Sequence, residues 1–119
     1  SQSQYIRSRL MRNVSERSNG ESALSLFVDA IHDNALYILD EPENSLSIKL
    51  QTELANFIYD SARFFGCQFV LSSHSPFFLA AQGAKIYNLD ETPPISQKWT
   101  ELENVRAYFE LFDKHRQEF

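Results

Sequence analysis

Two adjacent carboxylates, Asp40 and Glu41, close the apolar run Ala35-Leu36-Tyr37-Ile38-Leu39, and Pro42 follows at once. A short apolar run of this kind reads as a strand buried on both faces, as in a parallel sheet covered by helices. Its acidic pair would then stand at the carboxyl end, where open α/β sheets place their ligands. A second short run, Cys67 to Leu71, ends in Ser72-Ser73-His74-Ser75. In neighbouring parallel strands those ends lie side by side, so Asp40, Glu41 and His74 could converge. The chemistry that fits is phosphoryl transfer to water. Asp40 would hold Mg²⁺ through its water shell. Glu41 would orient and deprotonate the attacking water. His74 would donate to the terminal phosphate as charge builds, aided by Ser73 or Ser75.

Each motif also has a plainer reading. Asp40-Glu41-Pro42 could be a polar strand exit, His74 a satisfied loop residue, and Ser18-Asn19-Gly20-Glu21 an ordinary helix cap. The functional reading of that last cluster sets Ser18 and the Gly20 backbone N–H at a helix amino end. Such an end offers unpaired donors and a favourable dipole to phosphate.

The elements that must position these groups follow from the apolar spacing. Leu24, Phe27, Val28 and Ile31 recur every three or four residues and predict a helix from about Glu21 to His32. Asp33-Asn34 breaks it before the first strand. Leu50, Leu54, Phe57, Ile58, Ala62 and Phe65 predict a long amphipathic helix from roughly Ser47 to Phe64. Gly66 ends that helix, as a residue free to adopt positive φ. Pro76 opens a helical turn through Phe78 and Ala81, and Lys85 to Leu89 reads as a third strand. Thr100 and Glu103 form a capping-box pattern ahead of a closing helix through Leu102, Val105, Phe109 and Phe112. Strands alternating with helices point to an α/β fold with a parallel sheet. Three strands are few for a complete one.

Composition bounds the function without naming it. The chain has 119 residues, 43% of them apolar and 23% charged, which suits one globular core. Eleven basic against sixteen acidic side chains leave a net charge of -5, which gives no support to a surface that coats nucleic acid. The basic groups are uneven, however. Arg7, Arg9, Arg12 and Arg17 crowd residues 1–17, a solvated arm or short helix, or a phosphate-contacting one. One cysteine, Cys67, excludes an internal disulfide and reads as a buried thiol in a reducing compartment. No apolar run approaches a membrane span and no charged-then-apolar leader opens the chain, so a soluble, cytoplasmic protein is expected. A first residue other than Met suggests a fragment or a processed chain.

In order and spacing together, these motifs resemble the carboxyl-terminal half of an ABC-type ATPase nucleotide-binding domain. Ser18-Asn19-Gly20-Glu21 resembles the signature loop, and Ala35 through Glu41 the Walker B strand with its glutamate. Glu43-Asn44-Ser45-Leu46-Ser47 falls where the family has its D-loop, and Phe69 through Ser75 resembles the strand and switch histidine. The resemblance covers about residues 17 to 90. It implies a partial P-loop NTPase fold over residues 18–119, lacking the Walker A half. It also implies ATP and Mg²⁺ as cofactors and a head-to-tail dimer with nucleotide between the subunits. Asp40, Glu41 and His74 would serve the nucleotide bound in cis, and Ser18 and Gly20 the one bound in trans, with Glu21 and Ser73 also among the nucleotide-binding residues.

The form is more similar to soluble ATPases of chromosome maintenance and DNA repair, and to small bacterial ATPases, than to transporters. DNA is then a conceivable partner, with the four arginines as the only hint. Two departures stand out. Ser47 occupies the place of the usual D-loop aspartate, and no Gly-x-x-x-x-Gly-Lys-Ser/Thr occurs among the three glycines, Gly20, Gly66 and Gly83. The expectation is therefore that a partner or amino-terminal half supplies Walker A, and that this chain alone turns over no ATP. Two other classes stay open: a non-hydrolysing module that docks on an ATP-bearing partner, and a metal-dependent hydrolase using Asp40, Glu41 and His74 directly.

Overall fold

A computed structural model describes residues 22–119. The fold divides into two compact units, the first ending at Ala81 and the second running from Gln82 to Phe119. The first begins with helix α1, Ser22–Ala30, whose Leu24 and Val28, with Ile31 just beyond, are buried at i, i+4 and i+7. Asn34 then adopts φ 58° and the chain enters strand β1, Leu36–Asp40. Helix α2, Ile48–Phe64, crosses over to strand β2, Gln68–Ser72, and a single helical turn, α3, Pro76–Leu79, follows. β1 and β2 pair in parallel, residue for residue, from Leu36 opposite Gln68 to Asp40 opposite Ser72. This is the expected βαβ unit of an α/β fold.

Helix α2 organises the core. Leu50, Leu54, Phe57 and Ser61, spaced four, three and four residues apart, are all buried. Leu50 and Leu54 are almost fully enclosed among Leu24, Val28, Ile31 and Phe78, and each such leucine contributes about 1.5–3 kcal/mol. Ser47 caps the helix, its hydroxyl accepting the Leu50 N–H at 3.3 Å. The position where the family resemblance expects aspartate is thus used for a cap. At the other end Gly66 takes φ 71°, and a Cβ there would sit 2.2 Å from the Asn34 Oδ1. Cys67 is buried, and its thiol donates to the His32 carbonyl at 3.4 Å.

The strands are not buried on both faces. Tyr37, Phe69 and Leu71 pack on the core, Tyr37 stacked on Phe69 with ring centroids 5.4 Å apart. The opposite face, with Leu36, Ile38 and Val70, is more than half exposed. A continuous apolar run identifies the strand but does not reveal what covers its second face. Among the described residues nothing does.

The second unit departs further from expectation. The third strand exists as β3, Ile86–Asn88, but it joins no parallel sheet. It pairs antiparallel with β4, Ile95–Gln97, across a loop containing Thr92-Pro93-Pro94, and Asn88 Nδ2 donates to Gln97 Oε1 at 2.7 Å. A second short strand within hairpin reach can pair at a smaller loop-closure cost than a distant one. The closing helix α4, Glu103–Lys114, is present and buries Val105, but not through the expected Thr100–Glu103 box. Trp99–Glu101 form a 3₁₀ turn that takes up Thr100, and the Glu101 carboxylate instead accepts the Lys98 N–H at 3.2 Å.

Candidate functional site

The parallel register sets the site. Because Asp40 lies opposite Ser72, the two strand tips stand side by side, and the Ser72 hydroxyl donates to the Asp40 carboxylate. The ladder runs one step further, the Glu41 N–H reaching the Ser72 carbonyl at 2.9 Å. Glu41 then leaves the strand in the left-handed region, φ 45° and ψ 57°. For a residue with a side chain this conformation costs about 1–2 kcal/mol. Its neighbours hold it there. The Asn44 N–H reaches the Glu41 carbonyl at 3.1 Å, and Asn44 Nδ2 reaches the Glu41 carboxylate at 3.1 Å. Pro42 opens the 3₁₀ turn Pro42–Ser45 that brings Asn44 round.

His74 approaches from β2. Its Nδ1 lies 3.6 Å from Glu41 Oε1, with the imidazole four-fifths exposed and the carboxylate nearly half exposed. Its backbone N–H donates to Glu43 Oε1 at 2.8 Å. The other carboxylate oxygen, Oε2, is buried without a hydrogen-bond partner. Of the two serines expected beside His74, Ser73 is half-buried and its hydroxyl accepts the Ser75 N–H at 3.0 Å. Ser75 is turned away from the site. It is buried, donates to Gln51 Oε1 at 2.5 Å, and accepts the Phe77 N–H at 3.2 Å as the cap of α3. As arranged, its hydroxyl is committed to the core and cannot also aid His74.

The arrangement therefore brings Asp40, Glu41, Ser73 and His74 to one pair of strand tips. It adds Glu43 and Asn44, from the stretch that falls at the D-loop, and Gln51 and Ser72; the sequence reading assigns none of the four a role in the site. Two signals were present: Gln51 is a polar residue on the apolar stripe of α2, and Glu43 is a third acid within four positions of Asp40. Ser18, Gly20, Glu21 and the arginines of residues 1–17 lie outside the described residues.

Among the described residues no group of three or more His, Cys, Asp and Glu side chains is placed to hold an ion. A self-contained metal-dependent hydrolase gains no support from that. A single exposed carboxylate oriented by a hydroxyl does suit Mg²⁺, which keeps most of its waters and shares its remaining ligands with phosphate. Among the described residues no helix is long and apolar enough to cross a membrane.

The family model described as "AAA domain, putative AbiEii toxin, Type IV TA system" matches residues 6–80. The matched region takes in β1, α2, β2 and the loops that carry Glu41 and His74, and it stops one residue before the first compact unit ends. No curated protein and no solved structure matches the chain.

Proposed function

This chain belongs to the AAA domain family, and from that premise we propose that it supplies the water-activating half of an ATP-hydrolysing site. Glu41 orients and deprotonates the attacking water. His74 donates to the γ-phosphate, with Ser73 at its side. Asp40 would hold Mg²⁺, whose contribution there would be to neutralise phosphate charge. The observation that supports this is the 3.6 Å approach of Glu41 Oε1 and His74 Nδ1 at adjacent parallel strand tips.

The finer reading is of the ABC type. Ser18, Gly20 and Glu21 would contact nucleotide bound to a second, head-to-tail subunit, as a helix amino end can. The phosphate-cradling loop would come from a Walker A-bearing segment outside these residues, since no such motif occurs in them. Residues 18–119 would then be the carboxyl-terminal part of one ATPase domain, and residues 1–17 a basic arm. The missing loop also favours a second reading, a non-hydrolysing module that docks on an ATP-bearing partner.

Phosphate release by the full-length protein separates the two. The hydrolase reading expects turnover that Glu41→Gln removes while ATP is still bound. Equal turnover in wild type and Glu41→Gln would remove Glu41 as the base, and no turnover with any partner would favour the docking module.

A further inference from the structure

Two buried polar side chains beside the site have no part in that chemistry. Gln51 is 8% exposed and Ser75 6%, both within a packed apolar region. A buried amide left unpaired costs about 1–3 kcal/mol, and a similar-sized apolar side chain would pack there without that risk. Both ends of the Gln51 amide are occupied. Nε2 donates to the Leu46 carbonyl at 3.0 Å, and Oε1 accepts the Ser75 hydroxyl at 2.5 Å. Leu46 ends the turn that leaves Glu41, and Ser75 follows His74. One side chain, rooted in the long helix α2, therefore grips both loops of the site.

A second tie lies closer in. Glu43 accepts the His74 N–H at 2.8 Å, and its own carbonyl accepts the Leu46 N–H at 3.1 Å. The backbone around His74 is thus anchored at three successive points. Ser72 is held by the strand ladder, His74 by Glu43, and Ser75 by Gln51, while the imidazole itself stays exposed. Hydrogen bonds that span two loops fix their separation through direction as well as distance.

We propose that Gln51 is a positioning residue: by bridging Leu46 and Ser75 it sets the separation of Glu41 and His74, with Glu43 as the second tie. Its kinetic consequence rests on the hydrolase reading; its geometric consequence does not. Both are tested in the full-length protein with Gln51→Met, which keeps the side-chain length and loses the amide. Ser75→Ala, which deletes the hydroxyl that meets Gln51 and with it the cap of α3, serves should Gln51→Met fold poorly.

The geometric arm places cysteines at positions 41 and 74 and follows their cross-linking under mild oxidation. Either substitution is expected to slow cross-linking about threefold, because loosening a tether lowers the effective concentration of its ends. The melting temperature should fall, because each substitution leaves a buried polar group without its partner, so cross-linking is compared at a temperature where both parent and variant are folded. An unchanged cross-linking rate overturns the proposal.

The kinetic arm measures ATP turnover. Gln51→Met is expected to lower kcat about tenfold with KM for ATP little changed, because sub-ångström misplacement of reacting groups acts on the chemical step. In a His74→Ala background the same substitution should add almost nothing. An undiminished tenfold loss there means that Gln51 acts elsewhere, and the proposal falls. If wild type turns over no ATP with any partner, the hydrolase reading fails by itself, and the cross-linking still decides whether Gln51 holds the loops.

Discussion

The Ser72 hydroxyl donates to the Asp40 carboxylate across the last register pair of the parallel sheet. The two residues are 32 positions apart in sequence, yet they form the floor of the candidate site. The bond turns one carboxylate oxygen toward the neighbouring strand and leaves the exposed Asp40 with a second oxygen for an outside ligand. Above it stand Glu41, forced out of the strand by its left-handed backbone, and His74, anchored through its N–H to Glu43.

Ser72→Ala removes the hydroxyl that orients Asp40. If Asp40 holds Mg²⁺, the concentration of the ion needed for half-maximal ATP turnover by the full-length protein should rise about tenfold, as when other outer-sphere partners are lost. Turnover at saturating Mg²⁺ should change little. A Mg²⁺ titration of phosphate release checks this, and an unshifted midpoint removes the orienting role.

Glu41→Gln should lower single-turnover ATP hydrolysis by about 10²- to 10⁴-fold, the usual contribution of a positioned general base. Nucleotide affinity should hold, because Gln keeps a side-chain oxygen that Asn44 Nδ2 can reach as it does now at 3.1 Å. Rapid-quench measurement beside equilibrium nucleotide binding separates the two effects.

Position 41 should also invert the ordinary ranking of small residues. At φ 45° a Cβ is penalised and glycine is not, so Glu41→Gly should be about 1 kcal/mol more stable than Glu41→Ala. Urea denaturation of the two variants makes the comparison. Equal stabilities would mean that the left-handed conformation is not kept in solution.

Gly66→Ala meets two obstacles, the positive φ of 71° and the Asn34 Oδ1 at 2.2 Å from the new Cβ. A loss of about 1–3 kcal/mol is expected in chemical denaturation. Adding Asn34→Gly should relieve the clash and recover part of that loss, leaving the backbone penalty behind.

In the core, Leu54→Ala should cost about 2–5 kcal/mol, because the side chain is 1% exposed within the cluster that includes residues of α1 and α3, and truncation leaves a cavity there. Leu111, 53% exposed on α4, should tolerate the same truncation within about 0.5 kcal/mol. Denaturation midpoints of the two variants give the contrast directly.

What the amino-acid order determined by itself is local. The i, i+4, i+7 spacing of Leu50, Leu54 and Phe57 places the long helix to within a residue, because helical periodicity is set by neighbours in sequence. Ser47 as its cap and Gly66 as its stop were legible for the same reason, since each acts on backbone groups a few positions away. The two apolar runs that end in Asp40-Glu41 and in Ser72 to Ser75 were legible as strand tips.

Tertiary structure decided the rest. That β3 turns back to pair with β4, and that Leu36, Ile38 and Val70 face outward, depend on which surfaces meet, and an apolar run carries no record of its partner. The same holds within the site. Glu43 meets His74 across 31 positions and Gln51 meets Ser75 across 24, and each contact exists only once the parallel register has laid β1 against β2. Residue type can show that a side chain is able to donate or accept. Only packing brings a partner to within 3 Å of it and excludes the water that would otherwise serve as well.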